Sequence, residues 1–229
     1  MRAFVAVVAA MALLAGCSGG DGDGDPVAAP ATTATTTAAG CPSLPPAGTT
    51  DATAAPADFD GDGRPDRMIT YRVAAGGAWR VRAELAAGGG GEAELPATAE
   101  GVKAVGGAVL DVGPSQAGFA VVERNAAGDT LGLFVLRSCQ LERVTLAGRP
   151  AALRVGTGGA VRFGLACQVP GLVAYDAVPI DGGFYRAQSI GYLLVGAILD
   201  ETNRSTSTLA ANDAELARYG AFSCGPLRL

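Results

Sequence analysis

Histidine is absent from this 229-residue sequence. Without an imidazole there can be no Ser-His-Asp or Cys-His nucleophile and no His-ligated zinc. Carboxylate-pair chemistry of the glycoside-hydrolase kind stays open. The adjacent acidic pairs, Asp200-Glu201 and Glu92 with Glu94, read as solvated surface groups. Lysine is nearly absent too: Lys103 stands alone, and arginine supplies the remaining positive charge. Net charge is −5 with the arginines scattered, so no clustered positive face exists to bind phosphates, and nucleic acid is excluded as a partner. Long apolar runs are missing beyond Ala3–Leu14, which is too short for an ordinary membrane span. What is abundant is small: 34 glycines, with 49% of residues hydrophobic, enough for one sizeable β domain but hardly two.

That apolar run reads as an address. Arg2 forms a short positive start, and the run ends in small residues, as an export signal does. Leu14-Ala15-Gly16-Cys17 resembles the lipobox of bacterial lipoproteins at every position. The resemblance implies cleavage before Cys17 and a diacylglyceryl anchor on its sulfur, holding the protein on the extracytoplasmic face of the cell membrane without a span. Residues 1–16 are thus expected to be a signal peptide. From residue 17 to about 57 the chain is Gly/Asp and then Ala/Pro/Thr, with no apolar periodicity to offset the entropy of ordering it. This stretch is expected to be a disordered tether. Asp21, Asp23 and Asp25 imitate a metal loop, but no strand follows them. The threonines Thr32–Thr37 suit O-glycosylation.

Asp58-Phe59-Asp60-Gly61-Asp62-Gly63-Arg64-Pro65-Asp66 places carboxylates at loop positions 1, 3, 5 and 9. A glycine sits at position 6, where a tight Ca²⁺ loop turns sharply. Asp58, Asp60, Asp62 and Asp66 would supply hard oxygen ligands, with the Arg64 main-chain carbonyl at position 7. Position 12 is Ile69 rather than the bidentate Glu of an EF-hand, and Met68–Val73 is β-branched and aromatic. A strand, not a helix, leaves the loop. The competing reading is a plain Asp/Gly turn.

DFDGDGRPD followed by an apolar strand resembles the FG-GAP/VCBS-type repeat of integrin-like β-propellers, although Arg72-Val73-Ala74 stands where that family's GAP tail would fall. The resemblance implies that Asp58, Asp60, Asp62, Arg64 and Asp66 bind one structural calcium ion. The chain also repeats itself: Asp66, Gly118 and Gly171 open similar segments about 52 residues apart, a propeller-blade period. Each unit runs strand, glycine turn, strand, and Trp79–Leu85 alternates cleanly between apolar and charged. The later counterparts of the Asp loop, Leu110–Gly118 and Phe163–Gly171, have lost their carboxylates except Asp111.

The expected fold is all-β: about three four-stranded antiparallel modules (58–109, 110–162 and 163–229) forming a small or incomplete β-propeller, or else a compact barrel or sandwich. Residues 58–229 would form this single domain. Asn212–Gly220 reads as a short C-terminal helix with Asn212 as cap, Glu215 completing a capping box and Gly220 as exit. A closing strand Phe222–Leu229 would complete a sheet begun near the N-terminus. With Cys17 lipidated, Cys41, Cys139, Cys167 and Cys224 form an even set in an exported chain, implying two disulfides. All three connectivities are open, and Cys41–Cys224 with Cys139–Cys167 is the favoured one because it clamps the domain ends. The functional expectation is a non-catalytic binding or scaffolding module at the cell surface, meeting a cell-envelope protein or glycan. The alternatives are a carboxylate-dependent glycan hydrolase, and a small-ligand lipoprotein whose pocket is lined by Tyr71, Trp79, Phe119, Phe134, Tyr175 and Phe184.

Overall fold

The structure, a computed structural model, describes residues 40–229 except 46, 49, 76, 97 and 98. The signal peptide, Cys17 and residues 17–39 of the tether lie outside the described residues. Among those described, no helix is long and apolar enough to cross a membrane.

The fold is all-β and is built from three successive antiparallel meanders. The first is a four-stranded sheet of β1 (Thr50–Ala57), β2 (Asp66–Arg72), β3 (Trp79–Glu84) and β4 (Gly90–Glu94), paired in chain order. β1 corrects the expectation of a tether reaching residue 57. It pairs with β2 from Thr50 to Ala57, and its Thr53 hydroxyl bonds Thr70 at 2.6 Å and accepts from the Ala104 amide at 2.8 Å. Its low-complexity look is a packing requirement. A Cβ added at Gly107 would lie 2.7 Å from the Ala57 Cβ, so only small residues let β1 approach the next sheet.

The second meander is β5 (Lys103–Ala108), β6 (Ala117–Asn125), β7 (Gly128–Arg137) and β8 (Gln140–Arg143). After the two-residue strands β9 (Thr145–Leu146) and β10 (Arg149–Pro150) comes β11 (Leu153–Gly158), which belongs to two sheets. Leu153–Val155 pair with β7, and Gly156–Gly158 pair with β12 (Val161–Cys167). The switch falls at Gly156, whose φ of +115° suits glycine. The third meander continues through β12, β13 (Leu172–Ile180), β14 (Phe184–Val195) and β15 (Ile198–Ala210). Through β11 the second and third meanders join into one twelve-stranded hydrogen-bonded sheet, and neither sheet closes.

Strand period places the cores. In β6, Phe119 and Val121 face the third meander while Ala120 and Val122 face the first; β7 splits Leu131, Leu133 and Val135 from Phe134 in the same way. The middle meander is therefore buried on both faces. A third cluster lies beyond the last meander, where Tyr175 and Leu209 meet Leu216 and Tyr219.

Several local expectations are corrected. Phe163–Gly171 is mostly strand β12, because its hydrophobic residues pair with β13, and only residues 168–171 form a loop. Beyond it, β14 runs unbroken from Phe184 through Val195 and turns at 196–197. The C-terminal helix is a 3₁₀ helix, Ala214–Gly220, capped by Asp213 rather than Asn212, and Gly220 lies inside it. Its three-residue turn aligns Glu215 with Arg218, which pair at 2.9 Å. The expected closing strand shrinks to β16 (Phe222–Ser223), parallel to β12. Pro226 has no amide to extend it, and Cys224 is tied to Cys167.

The disulfides are Cys41–Cys139 and Cys167–Cys224, not the favoured end-to-end pairing. Packing decides the first and register the second. Cys139 in the β7–β8 turn lies against Gly91 of β4, and Gly89 of the β3–β4 turn lies against the Cys41 carbonyl; β12–β16 pairing at Ala166 and Ser223 sets Cys167 beside Cys224.

Candidate metal centre

The β1–β2 connection is the Asp-rich loop, and it is organised by its own carboxylates. Asp58 accepts from the Gly61 amide at 2.8 Å and the Gly63 amide at 3.1 Å; Asp60 accepts from the Asp62 amide at 3.2 Å and Asp62 from the Arg64 amide at 2.7 Å. These side-chain-to-backbone turns curl the chain inward. Gly61 and Gly63 take φ of +74° and +80°. The expectation singled out Gly63 at the sharp turn, yet Gly61 is the more constrained, since a Cβ there would lie 2.7 Å from Pro114.

Asp66 is the loop's buried pivot, 1% exposed. Its two oxygens accept from the amides of Phe59 at 2.7 Å and Ala86 at 2.8 Å, binding the loop to the β3–β4 turn. The second meander grips the loop from the other side. Asp58 N–H donates to Gln116 Oε1 at 3.0 Å, and Gln116 N–H donates to the Asp58 carbonyl at 2.7 Å.

The result is convergence. Asp58, Asp60 and Asp66 each offer a carboxylate oxygen, and the three lie within 4.8 Å of one another. Two oxygens on one calcium, each at 2.3–2.6 Å, can be up to about 5 Å apart, so the spacing fits a shared ion. Like charges so close raise the proton affinity of the group. The Asp60 carboxyl is pushed above its ordinary value, first by desolvation and then by the charges of Asp66, Asp62 and Asp58, against the lowering effect of the Asp62 amide.

One expected ligand behaves differently. Asp62 is not in the convergent set; its carboxylate accepts from the Arg64 amide, with the Arg64 guanidinium at 3.9 Å. The Arg64 side chain reaches outward to the Ala86 carbonyl at 3.2 Å and reinforces the contact with the β3–β4 turn. Asp111 in the second loop accepts from the Gly113 amide at 2.7 Å and repeats the local turn.

The other candidate groups disperse. Glu92 and Glu94 are ion-paired with Arg80 at 2.7 and 3.0 Å, and Glu201 with Arg204 at 2.7 Å. Of the aromatics expected to line a pocket, Trp79 and Phe134 lie in the core between the first two meanders and Phe119 in the next, Tyr175 stacks edge-on against Tyr219, and Phe184 is exposed. Among the described residues they are thus dispersed over separate clusters.

Sequence reading missed a buried polar cluster on the outer face of the first sheet. Arg82, 1% exposed, donates to Glu92 Oε2 from Nε at 3.0 Å and from a terminal nitrogen at 2.8 Å. It also donates to the Tyr71 hydroxyl at 3.2 Å and the Pro45 carbonyl at 2.6 Å, while Tyr71 donates to Glu92. Burial alone would raise the Glu92 carboxyl, but the hydrogen bonds from Tyr71, Arg80 and Arg82 outweigh it and hold it below its ordinary value. The alternation of β3 gave Arg80, Arg82 and Glu84 as its charged face; Pro45 and Gly48, read as tether, lie over part of it, Pro45 against Arg82 and Gly48 against Tyr71 and Arg72.

Comparison with known proteins returned no match: no family model, no curated protein and no solved structure matches this chain. The site reading rests on the chain's own residues.

Proposed function

We propose that the protein is a lipid-anchored, extracytoplasmic surface module of the FG-GAP/VCBS type, a non-catalytic binding or scaffolding unit with one structural calcium. The observation that carries the reading is the convergence of Asp58, Asp60 and Asp66 in a loop held by all its neighbours. Calcium there would replace mutual carboxylate repulsion with coordination, and the Arg64 carbonyl and water would complete the shell. Because the loop joins the first meander to the second through Gln116, the ion would act as a staple between sheets rather than as a reactant. Two disulfides suit an oxidising compartment and agree with the export signal.

The test is calorimetric calcium titration of the chain from Ser18 onward, beside its melting curve with and without chelator. Binding near one equivalent with melting raised by calcium is expected. Asp60→Ala combined with Asp62→Ala should remove the calcium-dependent part of the stability. No heat and no shift in melting would reduce the loop to a self-bonded turn.

A further inference from the structure

The strand registers put one set of connections at the same end of the molecule. Ala57 faces Asp66, Glu84 faces Gly90, Ala108 faces Ala117, Arg137 faces Gln140, Cys167 faces Leu172 and Val195 faces Ile198. The Asp-rich loop, the β3–β4 turn, the 109–116 loop, the Cys139 turn, the 168–171 loop and the β14–β15 turn are therefore neighbours. The Gly171 amide donates to the Leu110 carbonyl, and Gly196 lies against the Arg137 guanidinium. Four aliphatic side chains stand out at this end: Val112 is 89% exposed, Val169 58%, Val195 52% and Ile198 49%. The rim around them carries both signs, from Asp60, Asp62 and Asp111 to Arg64 and Arg137.

The chain's N-terminal continuation leaves from this same end. Cys41 is bonded to Cys139 in the β7–β8 turn, and the residues before Gly40 lead back toward Cys17. Resting on the lipid-anchor reading of Cys17, we propose that this loop end is a membrane-docking face, with Val112, Val169, Val195 and Ile198 entering the interfacial layer of the bilayer that holds the anchor. Anchoring confines the domain near the bilayer, so contacts too weak to recruit it from solution suffice to orient it. Apolar tips ringed by mixed charge suit zwitterionic headgroups and an interfacial depth, not a span. The opposite end also has exposed apolar residues, Ile180 and Phe184, but it lies away from Cys41, where the described chain enters the domain.

The test couples the chain beginning at Cys17, the one cysteine outside the two disulfides, through that thiol to maleimide-bearing lipid in phosphatidylcholine vesicles with calcium present. Val112→Trp and Phe184→Trp variants are compared for fluorescence quenching by brominated acyl chains; Trp79 is buried and gives a constant background. Quenching at position 112 should exceed that at 184 at least twofold, and adding Val169→Asp with Ile198→Asp should abolish the difference. Equal quenching, no quenching, or a difference that survives the aspartates would overturn the docking face. Chemical coupling makes this result independent of natural lipidation. Mass analysis of the membrane-extracted protein tests the lipid on Cys17 separately, so failure of the anchor reading is distinguishable from failure of the surface.

Discussion

Asp66 and Asp60 look alike in the sequence and do different work in the loop. Asp66 is buried and satisfies two backbone amides, whereas Asp60 is exposed and accepts only from Asp62. Asp66→Ala should therefore destabilise the chelated protein by roughly 1–3 kcal/mol, because it strands the buried Phe59 amide and frees the part-buried Ala86 amide. Asp60→Ala should cost less than about 0.5 kcal/mol under the same conditions and act only on the calcium increment. Denaturant melts of both variants in chelator check this; equal costs would deny Asp66 its anchoring role. The raised Asp60 carboxyl adds a pH dependence. The folded, calcium-free site holds its proton more firmly than the unfolded chain does. That stabilising contribution is present below the ordinary carboxylate value and is lost as pH rises through the raised one. Calcium must displace this proton, so affinity should weaken on acidification from a higher pH than an unperturbed aspartate would give. Titrations stepped from about pH 7 to about pH 4 measure it against the ordinary aspartate value.

At the scale of the element, the first sheet shows how one strand's alternation can be read correctly and still mislead. Trp79, Val81 and Ala83 face the core as the period requires. The opposite face read as charged, yet Pro45 and Gly48 lie over part of it, and Arg82 is buried among Glu92, Tyr71 and Pro45. Arg82→Ala would leave Glu92 desolvated with its principal partner gone, and should destabilise by about 3–5 kcal/mol. Replacing Arg82 and Glu92 together with leucine should recover most of that loss, since the pair's desolvation cost goes with it. Chemical denaturation of the single and double variants separates the two outcomes. The depressed Glu92 carboxyl makes the cluster's contribution present above the ordinary glutamate value and lost as pH falls through the lowered one.

For the whole molecule, the Cys41–Cys139 disulfide spans a sequence separation of 98 and ties the covering segment to the second meander. On the chain-entropy account, Cys139→Ser should cost roughly 4–5 kcal/mol. Guanidinium melts measure the loss, and non-reducing peptide mapping of the unaltered protein checks the pairing itself. Recovery of a Cys41–Cys224 peptide would contradict the packing that brings Cys139 to Cys41.

The sequence by itself determined the β character, the meander order and the convergent loop. Strand alternation and the short-range turns of Asp58, Asp60 and Gly63 are local, and local chemistry is written in adjacent residues. Tertiary structure alone decided that Thr50–Ala57 is a strand, because small residues signal nothing until a neighbouring sheet requires close approach. Only the tertiary structure, too, paired the cysteines, fused the second and third meanders through β11 and buried Arg82. Each depends on residues dozens of positions apart meeting in one register, and no local pattern encodes such a meeting.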